Sequence, residues 1–174
     1  GKALATDFFS TPDSTVIRFN GGSQAGHRVV SPDGREHVFS HFGSGSFKGA
    51  KTHLAKHFIL NPIAFKRELF ELHSKGVHPN VSADSLCMVS TPWDAMINMF
   101  REENRGVNRH GSCGMGINRT IKRDEEERFR LDDIIDKRHN NLVRDIHNYY
   151  MRNAESLGLT KEQIITIDKI DKIG

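Results

Sequence analysis

One stretch constrains this chain more than any other. An apolar, β-branched run, STVIRF at positions 14–19, leads straight into RFNGGSQAGHR at 18–28. A strand that stops in two glycines, a Gln, a third glycine and a histidine has the composition of a tight loop around an anion. Three glycines within six positions let backbone N–H and C=O groups approach a ligand where a Cβ would block them. His27 then stands where it can act on that ligand; the plainer reading is a loop histidine that caps backbone groups.

A second glycine-rich stretch, HGSCGMGI from His110 to Ile117, places Ser112 and Cys113 between glycines. Such a loop can turn small hydroxyl, thiol and amide groups toward a phosphate or a base edge.

Around these loops the pattern alternates strand and helix. Leu4, Ala5, Phe8 and Phe9 give a short apolar helix face, closed by the turn composition of Ser10–Asp13. Val29–Val30, the Ser31-Pro32-Asp33-Gly34 turn and His37–Phe42 read as a hairpin. His37 and His41 are spaced like two residues on one side of a strand; partly exposed histidines are favoured over a metal pair, for no third ligand is near in sequence. Phe42–Gly49 is another Gly/Ser loop. His57–Leu60 is a strand stub before Asn61, which can cap a helix opened by Pro62 and stopped by Gly76. Val81–Val89 reads as one strand, and Thr91-Pro92 opens a helix in which Trp93, Met96 and Met99, like Met88 before it, read as packing residues. This order predicts an α/β domain with a largely parallel sheet, whose ligands gather at the carboxyl ends of strands.

From Arg119 to Asp133 the chain is almost wholly charged, the pattern of a solvated face or mobile loop. Leu131–Leu157 is predicted as one long amphipathic helix, and Thr160 begins a shorter segment with Ile164, Ile165, Ile167, Ile170 and Ile173 as its apolar side. We divide the chain at 1–122 and 123–174, the second part read as belonging to the same domain.

The 174 residues suffice for one domain with a sizeable core. With 36% hydrophobic and 27% charged residues and no apolar run near the roughly 20 residues of a membrane span, a soluble, cytoplasmic protein is expected. Cys87 and Cys113 make neither a disulfide framework nor a zinc site. The net charge of +3 is spread rather than clustered, so nucleic-acid binding is not inferred.

In order and spacing, Asn20-Gly21-Gly22, Gln24-Ala25-Gly26-His27, Phe42-Gly43-Ser44-Gly45, Asn61-Pro62 and Gly111–Ile117 resemble adenylosuccinate synthetase and its relatives, from Gly1 to about Lys122. The resemblance implies a P-loop-NTPase-like α/β fold, with the chain as an N-terminal portion lacking the first core strand and the C-terminal half. It implies a GTP-dependent ligase of purine (AMP) biosynthesis: the γ-phosphoryl group of GTP passes to the 6-oxygen of IMP, and aspartate displaces it. Mg²⁺ is the implied cofactor and a homodimer the implied assembly.

On the same ground, Gly1-Lys2 ends a phosphate loop and His27 is the catalytic donor beside the moving phosphoryl group. Gly26 offers its carbonyl to Mg²⁺, and Arg28 is grouped with the nucleotide site although a small polar residue is common there. Gln24 and Ala25, with Ser112 and Cys113, fall at the substrate nucleotide. The family's catalytic acid falls upstream of Gly1. Two alternatives stay open: the related viral enzyme that joins aspartate to a deoxyguanosine nucleotide, and an inactive nucleotide-binding module.

Overall fold

The computed structural model describes residues 2–19, 21–108 and 111–170. The expectations for Gly1, Asn20, His110 and Ile173, and for the side chain of Lys2, lie outside the described residues. The chain forms two units, 1–89 and 90–174.

In the first unit, helix α1 (Lys2–Phe9) precedes strand β1 (Thr15–Arg18). The hairpin of β2 (His27–Val30) and β3 (Glu36–Phe39) follows, then β4 (Lys51–Leu54), β5 (Ile59–Leu60), α2 (Pro62–Ser74), β6 (Val81–Ala83) and β7 (Met88–Val89). β1, β4 and β6 form a parallel sheet in that order, with Val16 opposite Thr52 and Thr52 opposite Val81. β5 and β7 pair parallel, and β2 and β3 pair antiparallel with His27 opposite Phe39. The α/β expectation therefore holds, as do the hairpin and the helix at Pro62. Asn61 caps α2 by accepting from the Ala64 N–H at 2.9 Å. Val29, Phe39, Phe42, Leu72 and Val77 are the core of this unit, with Phe65 stacked on Phe42 at 4.8 Å.

Three expectations here are corrected. Val81–Val89 is two short strands in different sheets, because the Asp84 side chain accepts from Leu86 N–H and its carbonyl from Cys87 N–H, which turns the chain. The apolar face of α1 forms but is exposed: Leu4, Phe8 and Phe9 are each more than 70% accessible. His37 and His41 are buried, not partly exposed, and His41 lies beyond the end of β3.

The second unit is helical: α3 (Pro92–Asn104), α4 (Ile117–Asp124), α5 (Leu131–Ile135), α6 (His139–Asn153) and α7 (Lys161–Ile170). Thr91 caps α3 in a capping box with Asp94. Trp93 is buried, whereas Met99 is half exposed and not the packing residue expected. The charged run is neither a solvated face nor a loop throughout, for α4 buries Arg119, Thr120 and Arg123. Arg123 donates to both carboxylate oxygens of Asp94 at 3.1 and 3.3 Å, and Tyr150 O–H donates to the same group at 2.6 Å. All three side chains are fully buried. Burial, with the Asp94 charge beside it, pushes the Tyr150 phenol well above its ordinary range.

The single helix predicted over Leu131–Leu157 is broken. Lys137 takes φ 58, and the Lys137 and Arg138 N–H groups bond back to the carbonyls of Ile134 and Asp133, closing α5 as a Schellman turn. The buried Asp133 carboxylate fixes that break through Arg128 and Arg138.

Candidate functional site

The glycine-rich loop after β1 lies in the first unit and is pinned at both ends. The Gly21 carbonyl accepts from Ile59 N–H at 2.8 Å, and the Gly22 carbonyl from Ala25 N–H at 3.2 Å. At Gly26 an added Cβ would stand 2.8 Å from Val38 Cγ1, so the loop lies against the hairpin where only glycine fits. Gln24 is exposed, Ala25 and His27 half-buried and Gly26 exposed.

The residue that organises this loop was not a sequence candidate. Arg18, the last residue of β1, is 7% exposed. Its Nη1 lies 3.0 Å from His27 Nδ1, and its Nη2 donates to the carbonyls of Ala25 at 3.1 Å and Ser40 at 2.6 Å. Its guanidinium stands over the Phe58 ring at 5.6 Å. Burial pushes its pKa down, with the Glu68 charge opposing. Strand alternation carried the signal: Ile17 and Phe19 are exposed on the other face, so Arg18 takes the buried one.

Beneath the loop, Glu68 fastens the hairpin to α2. Its carboxylate accepts from Ser40 N–H at 2.9 Å and His41 N–H at 2.7 Å, and lies 3.3 Å from His41 Nδ1 and 3.5 Å from His37 Nε2. His41 Nε2 accepts from Asn61 N–H at 3.2 Å, so its ring proton is on Nδ1 and donates to Glu68. Burial alone pushes Glu68 up, but the hydrogen bonds from His37, His41 and the two backbone amides outweigh it and hold the carboxyl at about 2. Ser40 thus joins Glu68 to Arg18, and Arg18 to His27.

Arg28, next to His27, is exposed on the opposite side of β2 and pairs with Glu36 at 2.6 Å, a bond that raises its pKa. The structure does not bring it to His27 through any contact of its own.

The second loop lies in the second unit. Ser112 and Cys113 are exposed, and Ser112 Oγ accepts from Asn98 at 2.7 Å, a partner that sequence reading missed. Gly116 opens α4 at φ +71, where a Cβ would fall 2.5 Å from the Asp94 carbonyl carbon. The loop is thereby seated on α3.

The family model for adenylosuccinate synthetase matches residues 1–172. The chain belongs to the adenylosuccinate synthetase family. It is 28% identical over 117 residues to the synthetase of Borrelia duttonii, covering 67% of this chain and 27% of that protein. It is 34% identical over 119 residues to that of Dehalococcoides mccartyi, covering 67% and 28%. To that of a Marinomonas species it is 29% identical over 155 residues, covering 86% and 36%. A fully ligated adenylosuccinate synthetase from Plasmodium falciparum shares the fold, with a TM-score of 0.74 at 15% identity, over 98% of this chain and 41% of that one. The chain thus spans 27–36% of the length of these curated relatives.

Proposed function

We propose that this adenylosuccinate synthetase family chain supplies the phosphoryl-transfer face of a GTP-dependent ligase that joins IMP and aspartate in AMP biosynthesis. The observation that supports it best is the loop of residues 21–27, pinned at its glycines, backed by a buried arginine and presenting His27 at its end. In the transfer step, charge grows on the oxygens of the γ-phosphoryl group as the IMP 6-oxygen attacks and GDP leaves. Aspartate then displaces the phosphate to give adenylosuccinate. His27 is the donor placed at that charge, and preorganised donors of this kind supply much of the barrier lowering. Gln24 and Ala25 contact the purine nucleotide, Ser112 and Cys113 its phosphate. Gly1, Lys2 and Arg28 belong with the GTP phosphates.

Among the described residues no group of three or more His, Cys, Asp or Glu could hold a metal ion. Mg²⁺ is commonly held by one or two protein oxygens together with substrate phosphates and water. The Gly26 carbonyl, on an exposed residue of the loop, fits that mode. When bound, Mg²⁺ neutralises charge on the β- and γ-phosphates. The full-length protein works as a homodimer in the cytoplasm.

The test is phosphate release from GTP by the complete gene product, omitting IMP, aspartate or Mg²⁺ in turn. Release that needs all of them supports the reading. Release with dGMP in place of IMP moves the assignment to the viral reaction, and nucleotide binding without release leaves an inactive module.

A further inference from the structure

Arg18 is a cation removed from water, with no ion-pair partner among the described residues. It is 7% exposed, and among the described residues no carboxylate stands within 4.0 Å of its guanidinium. Among the described residues it meets two carbonyls, one imidazole nitrogen and the Phe58 ring. Burying a charge this way is costly, and a fold that keeps one is using it.

Arginine has five N–H donors and no acceptor, and it stays protonated. At 3.0 Å from Arg18 Nη1, the His27 Nδ1 must therefore present its lone pair. The proton of the neutral ring is then on Nε2. The two carbonyl bonds from Nη2 hold the guanidinium against the ring.

We propose that Arg18 is a positioning residue for His27: it holds the ring with Nδ1 as acceptor and a proton on Nε2, so that His27 presents a fixed N–H donor to the phosphoryl group. The role assigned to His27 rests on the function proposed above; its tautomer does not. Arginine suits this place because its planar fork meets the ring with one nitrogen and the two carbonyls with the other, whereas a lysine ammonium would have to reach all three from a single point.

The test uses the 174-residue chain with ¹⁵N-labelled histidine and long-range proton–nitrogen spectra, His27 being assigned by its loss in His27→Gln. The expected spectrum gives His27 a pyridine-like Nδ1 and a pyrrole-like Nε2. His41 has the opposite pattern and reports that the hairpin is folded. In Arg18→Met, with His41 unchanged, His27 should become a mixture of tautomers. Arg18→Lys, which keeps a buried cation, should show an intermediate mixture and serves if the Met variant does not fold. A proton on Nδ1 in the parent, or an unchanged His27 in both folded variants, overturns the proposal. In the complete gene product Arg18→Met should lower kcat about 10²-fold with KM for GTP within a few-fold, and should add little to His27→Gln. Full activity in Arg18→Met overturns the positioning role. A parent without ligase activity defeats the functional reading alone, while the spectra still decide the tautomer.

Discussion

Glu68→Gln is the substitution that loads the fold beneath the site most directly. The carboxylate is 5% exposed and is held at about 2, against 4.5 for an unperturbed glutamate. At about 1.4 kcal/mol per pKa unit, that gap stands for about 3 kcal/mol of preference for the charged form in the folded chain. The folded pKa is the lower one, so this stability is fully present above pH 4.5 and is lost as the pH falls toward 2. In Glu68→Gln, one acceptor oxygen becomes an NH₂ group facing the Ser40 or His41 N–H, at a cost of about 1–3 kcal/mol for each amide left unpaired. We therefore expect the variant to be about 3 kcal/mol less stable at pH 6, with the difference shrinking to near zero at pH 2. Hydrogen exchange at the Ser40 and His41 amides, read as opening free energies beside urea unfolding by circular dichroism, measures it where it acts. A loss below about 1 kcal/mol at pH 6, or a difference independent of pH from 6 to 2, would refute the reasoning.

Three further outcomes follow from the second unit and the cysteines. Asp94→Ala leaves Arg123 buried without its carboxylate and should cost about 3–5 kcal/mol; the single tryptophan, Trp93, reports it by fluorescence in urea, and a cost under 1 kcal/mol contradicts the buried pair. Gly116→Ala forces a Cβ to within 2.5 Å of the α3 backbone at φ +71 and should cost about 3 kcal/mol; an unchanged melting temperature contradicts it. Cys87 is fully buried, and burial, then the Asp84 charge, pushes its thiol up to about 11, so a maleimide should label only the exposed Cys113 until urea is added; two fast thiols in the native chain would contradict that.

Much of the fold was legible because local chemistry dictated it. Asn61-Pro62 and Thr91-Pro92 carry both a cap and a proline at the first helical position, and the Pro-Asp-Gly turn closes the hairpin. The α/β alternation followed from them. What escaped the sequence was tertiary pairing of charge. The run from Arg119 to Asp133 looked solvated because the carboxylate that Arg123 meets, Asp94, lies 29 residues away. His37 and His41 looked partly exposed because Glu68, whose carboxylate faces both rings, comes from the next helix. At the site, the glycines and His27 were visible as a motif, whereas Arg18 was read only as the end of a strand. Its alternation with Ile17 and Phe19 gave its side, but not its contact with a ring nine residues on.

The central claim is that His27, at the end of the glycine-rich loop, donates to a phosphoryl group in transfer. The measurement that tests it most directly is the steady-state rate of GTP turnover by the complete gene product with IMP, aspartate and Mg²⁺, for the parent and for His27→Gln. The account predicts a fall in kcat of about 10²–10³-fold, with KM for GTP and IMP within a few-fold of the parent. Turnover equal to that of the parent would contradict it.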